Sequence, residues 1–460
     1  MELKEHIKEY EKEIITNLSK LVSYRSVLGE EGENAPYGIE CAKCLQEALK
    51  IAESYGFKTK NLDNKCGYAE IGEGEEIVGI LTHLDVVPEG NDWDTEPFKA
   101  TIKDNKIYAR GTSDDKGATI ASMVALKIIK DLDIPLNKRI RLIMGCKEET
   151  GSECMRHYVQ KEGNIDIGFT PDGDFPLVHG EKGQVRVEFT SKNINDIEIN
   201  GGVVENAVSD YCKIKIRKRL YKEQIFSKYL KNNNIECEIT NLDDEFDVIE
   251  VKGKSAHAST PELGKNAVSY AIMGLKEAEY EDYLVDFYCK YIKLETDGTS
   301  MGIKCEDEFG KLTLVNGKIQ TNGDKITGTI DIRVPVMIDS DEIVNKLIKK
   351  SYDGARINVK RCSKSLYYPL DSKIVNSLMK AYVKVTGDNE SKPITMGGGT
   401  YAKTMKNCVA FGCKFPGTDN RIHNANEFVV IDELLLQVEL YVNAVLELMG
   451  YDINNNIWLK

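Results

Sequence analysis

The chain has 460 residues, 41% of them hydrophobic and 29% charged, with a formal net charge of −13. That length leaves room for two or three domains, each with its own core. The acidic balance, without a dense basic cluster, excludes a nucleic-acid partner, and no apolar run approaches the roughly 18–20 residues of a membrane span. The opening MELKEHIKEYEKEI lacks the apolar centre of a secretory signal, so the expected location is the cytoplasm. Twelve scattered cysteines then read as reduced thiols rather than a disulfide framework.

In chain order, a helical pattern runs to about Leu21 and a second occupies about 37–55, where Cys41 and Cys44 read as small residues of a packed face. Strand patterns follow near 67–71, 77–82 and 106–109. After Gly117, apolar spacing through Val124, Leu126, Ile128 and Ile129 predicts a helix. Residues 140–145 read as a buried strand, a helix begins at Gly151, and a strand lies near 166–169. Such alternation predicts an α/β domain whose mainly parallel sheet is flanked by helices. From about 186 to 364 strand-like segments dominate, with helical stretches near 222–231, 265–293 and 341–351, which predicts an α+β insertion in two halves. From about 365 the first texture returns and ends in a long helix through Leu434, Leu435, Val438, Leu440 and Val445. The expected organisation is one domain from 1–185 plus 365–460 and an inserted domain from 186–364.

Acids and histidines gather where strands of the first domain end. His83-Leu84-Asp85 follows the strand at 77–82, and Gly111-Thr-Ser-Asp114-Asp-Lys-Gly117 follows KIYAR. Cys146-Lys-Glu148-Glu149-Thr-Gly-Ser152 follows the strand at 140–145, and Thr170-Pro-Asp172-Gly173 the one at 166–169. Any one of these is ordinary by itself; two acids before a helix, for example, suit its dipole. Together, four strand ends of one sheet present His, Asp, Glu and Asp at the carboxyl edge, where open α/β sheets bind ligands. Alternation along extended backbone would aim Glu148 and Glu149 to opposite sides and turn Lys147 toward the side of Glu149, or toward a more distant acid. Nitrogen and oxygen donors of this kind suit zinc, manganese or cobalt. Four or five of them invite two ions sharing a carboxylate.

The ordered set His83-Leu84-Asp85, WDTEPF, YARGTSDDKG, KEETGS, TPDGDFP with GEKG, GKSAHAS, GGGTYAK and FPGTDNRIHNANE spans nearly the whole chain. It resembles the di-zinc aminoacylase, carboxypeptidase G and dipeptidase group, and within it the PepV-type dipeptidases. The resemblance implies a zinc-peptidase-like catalytic domain with an inserted lid. It implies that His83 and Asp172 bind one zinc ion, Glu149 and His423 the other, and that Asp114 bridges them, with a cis peptide at Asp114-Asp115. Manganese or cobalt would substitute for zinc. Asp85 would stand behind His83, and Glu148 would be the general base.

In the lid, His257 of Gly253-Lys-Ser-Ala-His257 would stabilise the oxyanion, supplied within one chain, so that a monomer suffices. Arg333 and Asn206 would hold a substrate carboxylate; Ser209 stands where the group usually has Pro, which weakens the match at Asn206. The run Gly397-Gly398-Gly399-Thr400 lacks the Gly-Lys-Ser/Thr ending of a phosphate loop, and Gly398 and Gly399 are expected to let backbone approach the substrate. The remaining histidines, His6, His157 and His179, carry no motif. The implied activity is hydrolysis of dipeptides with a free C-terminal carboxylate. The rivals are a deacylase or carboxypeptidase of the same fold and a binding protein that has lost catalysis.

Overall fold

The computed structural model describes residues 3–455, and its contacts divide the chain into two compact units. The first comprises the chain up to Gly180, Tyr368–Ile394 and the chain from Gly399; the second comprises Glu181–Tyr367 and Thr395–Gly398. Thr395–Gly398, placed with the first domain by the sequence reading, thus groups with the second.

The first unit opens with helices α1 (Leu3–Glu9), α2 (Glu11–Val22) and α3 (Ile39–Ser54). Cys41 and Cys44 are buried on α3, and no cysteine among the described residues is in a disulfide. Strands β1 (Lys58–Leu62), β2 (Cys66–Ile71) and β3 (Ile77–His83) follow, then the short pair β4 (Thr101–Lys103) and β5 (Lys106–Tyr108). Helix α4 (Lys116–Asp131), β6 (Arg139–Gly145), α5 (Glu153–Glu162) and β7 (Ile167–Thr170) complete the block.

The main sheet runs in the order β1-β2-β6-β3-β7 and continues through Cys408–Ala410 and the strand that begins at Val178. Its centre is parallel, with β3 between β6 and β7 and Cys408–Ala410 parallel to β7. Its margins are antiparallel. All seven residues of β3 are buried, as expected for a strand covered on both faces. Helix α4 is buried at every residue from Gly117 to Leu126, because small and apolar side chains line its whole circumference there. It lies against the C-terminal helix Ile431–Met449.

Three expectations need correction. Asp114 does not end a strand of the main sheet: β5 belongs to a separate three-stranded antiparallel sheet with β4 and Phe428–Val430. Glu148 and Glu149 do not lie on extended backbone, since β6 stops at Gly145 and the chain turns, with Gly151 N–H donating to Glu148 O and Ser152 N–H to Lys147 O. Helix α5 consequently starts at Glu153 rather than Gly151, after Ser152 takes a left-handed φ of 57°.

The second unit is built on one eight-stranded antiparallel sheet with helices packed on it. The strands run in the order Glu236–Asn241, Phe246–Lys252, Tyr211–Arg217, Glu198–Gly201, Thr313–Asn322, Lys325–Val334, Gly183–Lys192, Ala355–Ser363. Its two halves meet where Asn200 and Gly201 pair with Gln320 and Ile319, and a single hydrophobic core runs beneath both. The helical pattern at 265–293 is two helices, Ala267–Glu277 and Tyr283–Tyr291. Glu279 turns left-handed at φ 63° and Asp282 caps the second helix by accepting Leu284 N–H. Among the described residues, no helix is long and apolar enough to cross a membrane.

Candidate metal centre

Strand β3 delivers His83 at the end of a run with no exposed residue, and the chain beyond it selects the tautomer. His83 Nδ1 lies 2.9 Å from the main-chain oxygen of Asp85. A carbonyl only accepts, so Nδ1 carries a proton and Nε2 is the nitrogen left to a cation or, without one, to a proton shared with Asp114. Nε2 is 2.9 Å from Asp114 Oδ1 and 3.9 Å from Asp172 Oδ2. The second oxygen of Asp114 is 2.8 Å from His423 Nε2, which also lies 3.2 Å from Glu149 Oε2. Each oxygen of Asp114 therefore faces a different histidine. His83, Asp114 and Glu149 offer ligand atoms within 4.8 Å of one another, and so do His83, Glu148 and Asp172.

The glutamate pair is aimed by Asp85, whose Oδ1 accepts Glu148 N–H at 3.0 Å and whose Oδ2 accepts Glu149 N–H at 3.1 Å. Lys147 turns away to Glu153, 2.7 Å from its carboxylate. The turn, not strand alternation, separates the two glutamate side chains.

Asp114 is presented by the loop between β5 and α4, and that loop is organised by a residue the sequence reading quoted without assigning, Glu427. Fully buried, Glu427 accepts N–H groups from Gly111, Ser113 and Asp114 at 2.9–3.2 Å, and Arg110 Nη1 donates to it at 2.7 Å. Asn420 adds a bond to Ser113 Oγ, whose hydroxyl donates to Phe428 O. The segment carrying His423 is thereby tied to the loop carrying Asp114. Arg110 and Glu427 sit just beyond paired strands, Tyr108 opposite Phe428, a pairing that only the structure shows. Gly117 is required at the start of α4, since a Cβ there would lie 2.1 Å from Thr112 O. The Asp114-Asp115 peptide is cis.

The Glu427 contacts carry a prediction. Glu427→Ala leaves Arg110 buried without its partner charge, so stability in metal-free buffer should fall by about 3–5 kcal/mol, read from the midpoint of urea unfolding. An unchanged midpoint would show that the carboxylate does not hold this loop.

The cluster is short of positive charge. Burial opposes protonation of His83, yet Asp114 and Asp85 raise its pKa well above the usual imidazole range. Burial likewise opposes it at His423, where Glu149 and Asp114 push the value up to about 11. Burial would raise Asp114, but His423 and His83 hold it well below the ordinary carboxylate range. Glu148 is pushed up by burial and then by Asp172, and Glu149 by burial and then by Asp114. Glu149 Oε1 is buried with no hydrogen-bond partner, a costly arrangement for a carboxylate unless a cation meets it. Two histidines and four carboxylates, an orphaned oxygen and a shared central aspartate fit bound divalent cations.

The other residues expected to act lie in the second unit. His257 is exposed, with Nδ1 2.7 Å from Ser259 Oγ. Its strand-like segment pairs with that of Asn206, where Ala207 bridges His257 and Asn206 O accepts Ala258 N–H at 2.9 Å. Arg333 is buried, its guanidinium gripped by Asp331 and donating to Gly397 O at 2.9 Å. Of the glycine run, Gly397 and Gly398 belong to the second unit and Gly399 to the first. The tight approach is at Gly397, where a Cβ would lie 2.2 Å from Ser259 Cβ; that glycine serves packing beside the His257 segment. Of the histidines without a motif, His6 Nδ1 lies 3.4 Å from Glu9, His157 lies 2.8 Å from Asp63, and the buried His179 lies 2.9 Å from Tyr368 O.

The chain is similar to named proteins and to solved structures. "Putative dipeptidase YtjP" of Bacillus subtilis is 34% identical over 95% of this chain and 97% of its own length. The crystal structure of human carnosine dipeptidase 1 superposes with a TM-score of 0.64 at 15% identity, covering 97% of this chain and 98% of that one. That of an M20 family metallo-carboxypeptidase, Sso-CP2 from Sulfolobus solfataricus, gives 0.59 at 18% identity, covering 95% and 99%. A profile described as Peptidase family M20/M25/M40 matches residues 79–447, a span that includes every residue of the histidine and carboxylate cluster. The chain belongs to that metallopeptidase family.

Proposed function

We propose that this protein is a PepV-type dipeptidase that uses two divalent metal ions to hydrolyse dipeptides bearing a free C-terminal carboxylate. The observation that carries the reading is Asp114, whose two oxygens face His83 and His423 at 2.9 and 2.8 Å beside the orphaned Glu149 Oε1. In this reading His83 and Asp172 hold one ion, Glu149 and His423 the other, and Asp114 lies between them. Zinc suits the donor set, and manganese or cobalt would substitute. Bound there, the ions supply Lewis acidity that makes water a nucleophile near neutral pH.

The chain's own residues supply the rest. Glu148, held by its backbone N–H on Asp85, takes a proton from the attacking water and returns one to the leaving amine. Asp85 keeps His83 in the tautomer that presents Nε2. His257 donates to the oxyanion that forms at the peptide carbonyl, and Arg333 with Asn206 takes the substrate carboxylate. Gly398 and Gly399 leave room for the substrate beside backbone. The second unit acts as a lid that supplies His257 from the same chain, so a monomer is sufficient.

The direct test is a panel of free dipeptides and their N-acetylated counterparts, assayed with zinc, manganese or cobalt. Free dipeptides should turn over in at least one metal, faster than the N-acetylated forms. Folded protein that cleaves none of them with any metal would overturn the reading, and preference for N-acetylated substrates would transfer it to a deacylase.

A further inference from the structure

The second unit carries a chain of four alternating charges that runs inward from its surface to Arg333, one of the residues assigned to the substrate. Arg333 Nε lies 2.5 Å from Asp331 Oδ1 and Nη2 3.4 Å from Oδ2. The same Oδ2 lies 3.4 Å from Arg186 Nε, and Arg186 Nη1 is 3.1 Å from Glu205 Oε2. The four residues come from neighbouring strands and the loop beyond: Arg186 is directly opposite Asp331 in the ladder, and Glu205 directly precedes Asn206. Gly317 lets the Glu205 carbonyl approach, since a Cβ there would lie 2.1 Å from that oxygen. Side-chain exposure falls inward along the chain, from 44% at Glu205 and 26% at Arg186 to 1% at Asp331 and 3% at Arg333.

We infer that Asp331 and Arg186 are positioning residues that set the protein's selectivity for a free carboxylate, by fixing Arg333 relative to Asn206. A guanidinium has five N–H groups. Asp331 takes one from Nε and one from Nη2, and Gly397 O takes one from Nη1. One N–H remains on each terminal nitrogen, the number that a two-oxygen carboxylate grip needs. Without Asp331 the planar fork would be free to turn about its stem. Arg186 neutralises the outward side of Asp331 and carries the arrangement to Glu205, next to Asn206, whose main-chain oxygen anchors the His257 segment through Ala258. A buried ion pair could serve stability alone; what distinguishes this one is that the chain runs from Arg333, a substrate residue in the proposed reaction, to the neighbour of another, Asn206.

The inference rests on that proposed function, so the experiment compares free dipeptides with their C-terminal amides in the metal-loaded protein and includes Arg333→Ala as a reference. Asp331→Asn, nearly isosteric, should raise KM for the free dipeptide about tenfold with kcat changed less than about twofold, while kcat/KM for the amide stays at the parent value. Arg186→Gln should move the same ratio in the same direction by a smaller factor, and it serves alone if Asp331→Asn does not fold. If Arg333→Ala removes the discrimination but neither Asp331→Asn nor Arg186→Gln alters it, the positioning role is overturned and the proposed function stands. If Arg333→Ala leaves the discrimination intact, both are overturned.

Discussion

Glu148→Gln should lower kcat by about 10²–10⁴, the usual contribution of a positioned general base, while the protein keeps the parent metal content and a KM within a few-fold. The substitution preserves volume and leaves the backbone N–H on Asp85 intact. What is lost is the ability to accept a proton. Glu148 stands with His83 and Asp172, and in the proposed reading it is the carboxylate of the cluster that binds no ion. Elemental analysis of the desalted variant beside steady-state kinetics separates the two outcomes. Parent-level turnover would remove Glu148 from the mechanism, and loss of metal would make it a ligand.

A still larger effect is expected at Asp114. Asp114→Asn keeps the shape of the side chain but removes the charge that both histidines face at 2.9 and 2.8 Å. Metal retained after desalting should fall at least about tenfold and dipeptide hydrolysis should drop to background. The backbone N–H of residue 114 still donates to Glu427, so the fold should persist by circular dichroism. A variant that retains parent metal stoichiometry would show that Asp114 does not join the two halves of the site.

The sequence was most informative where one strand and its own end suffice. The apolar run ending at His83 identified both a buried strand and a residue poised at its edge, and the strand before Cys146 did the same for the glutamate pair. Legibility failed where the chain leaves the strand: the two glutamates diverge because residues 147–151 turn, not because a strand pleats. It failed again where a loop is shaped by something distant. Asp114 was assigned to the main sheet because KIYAR reads as one more strand, yet β5 pairs with β4 and with Phe428–Val430. The role of Glu427 depends on a hydrogen-bond cradle 313–316 residues away in sequence, and a single glutamate carries no periodic signal. The grouping of Thr395–Gly398 with the second unit is of the same kind, since Met396 O accepts from Lys182 N–H and Gly397 O from Arg333, contacts that composition does not announce.

Asp85 has an implication for how order arises in the site. Its main-chain oxygen sets the ring of His83, and its two carboxylate oxygens take the consecutive amides of Glu148 and Glu149. One residue thus couples the rotamer of a histidine on one strand to the backbone of a turn that follows another. A substitution at residue 85 that displaced both its side chain and its main chain would thus disturb the imidazole and the turn together. In the proposed reading, where His83 and Glu149 hold different ions, Asp85 would link the two ion positions through the protein itself.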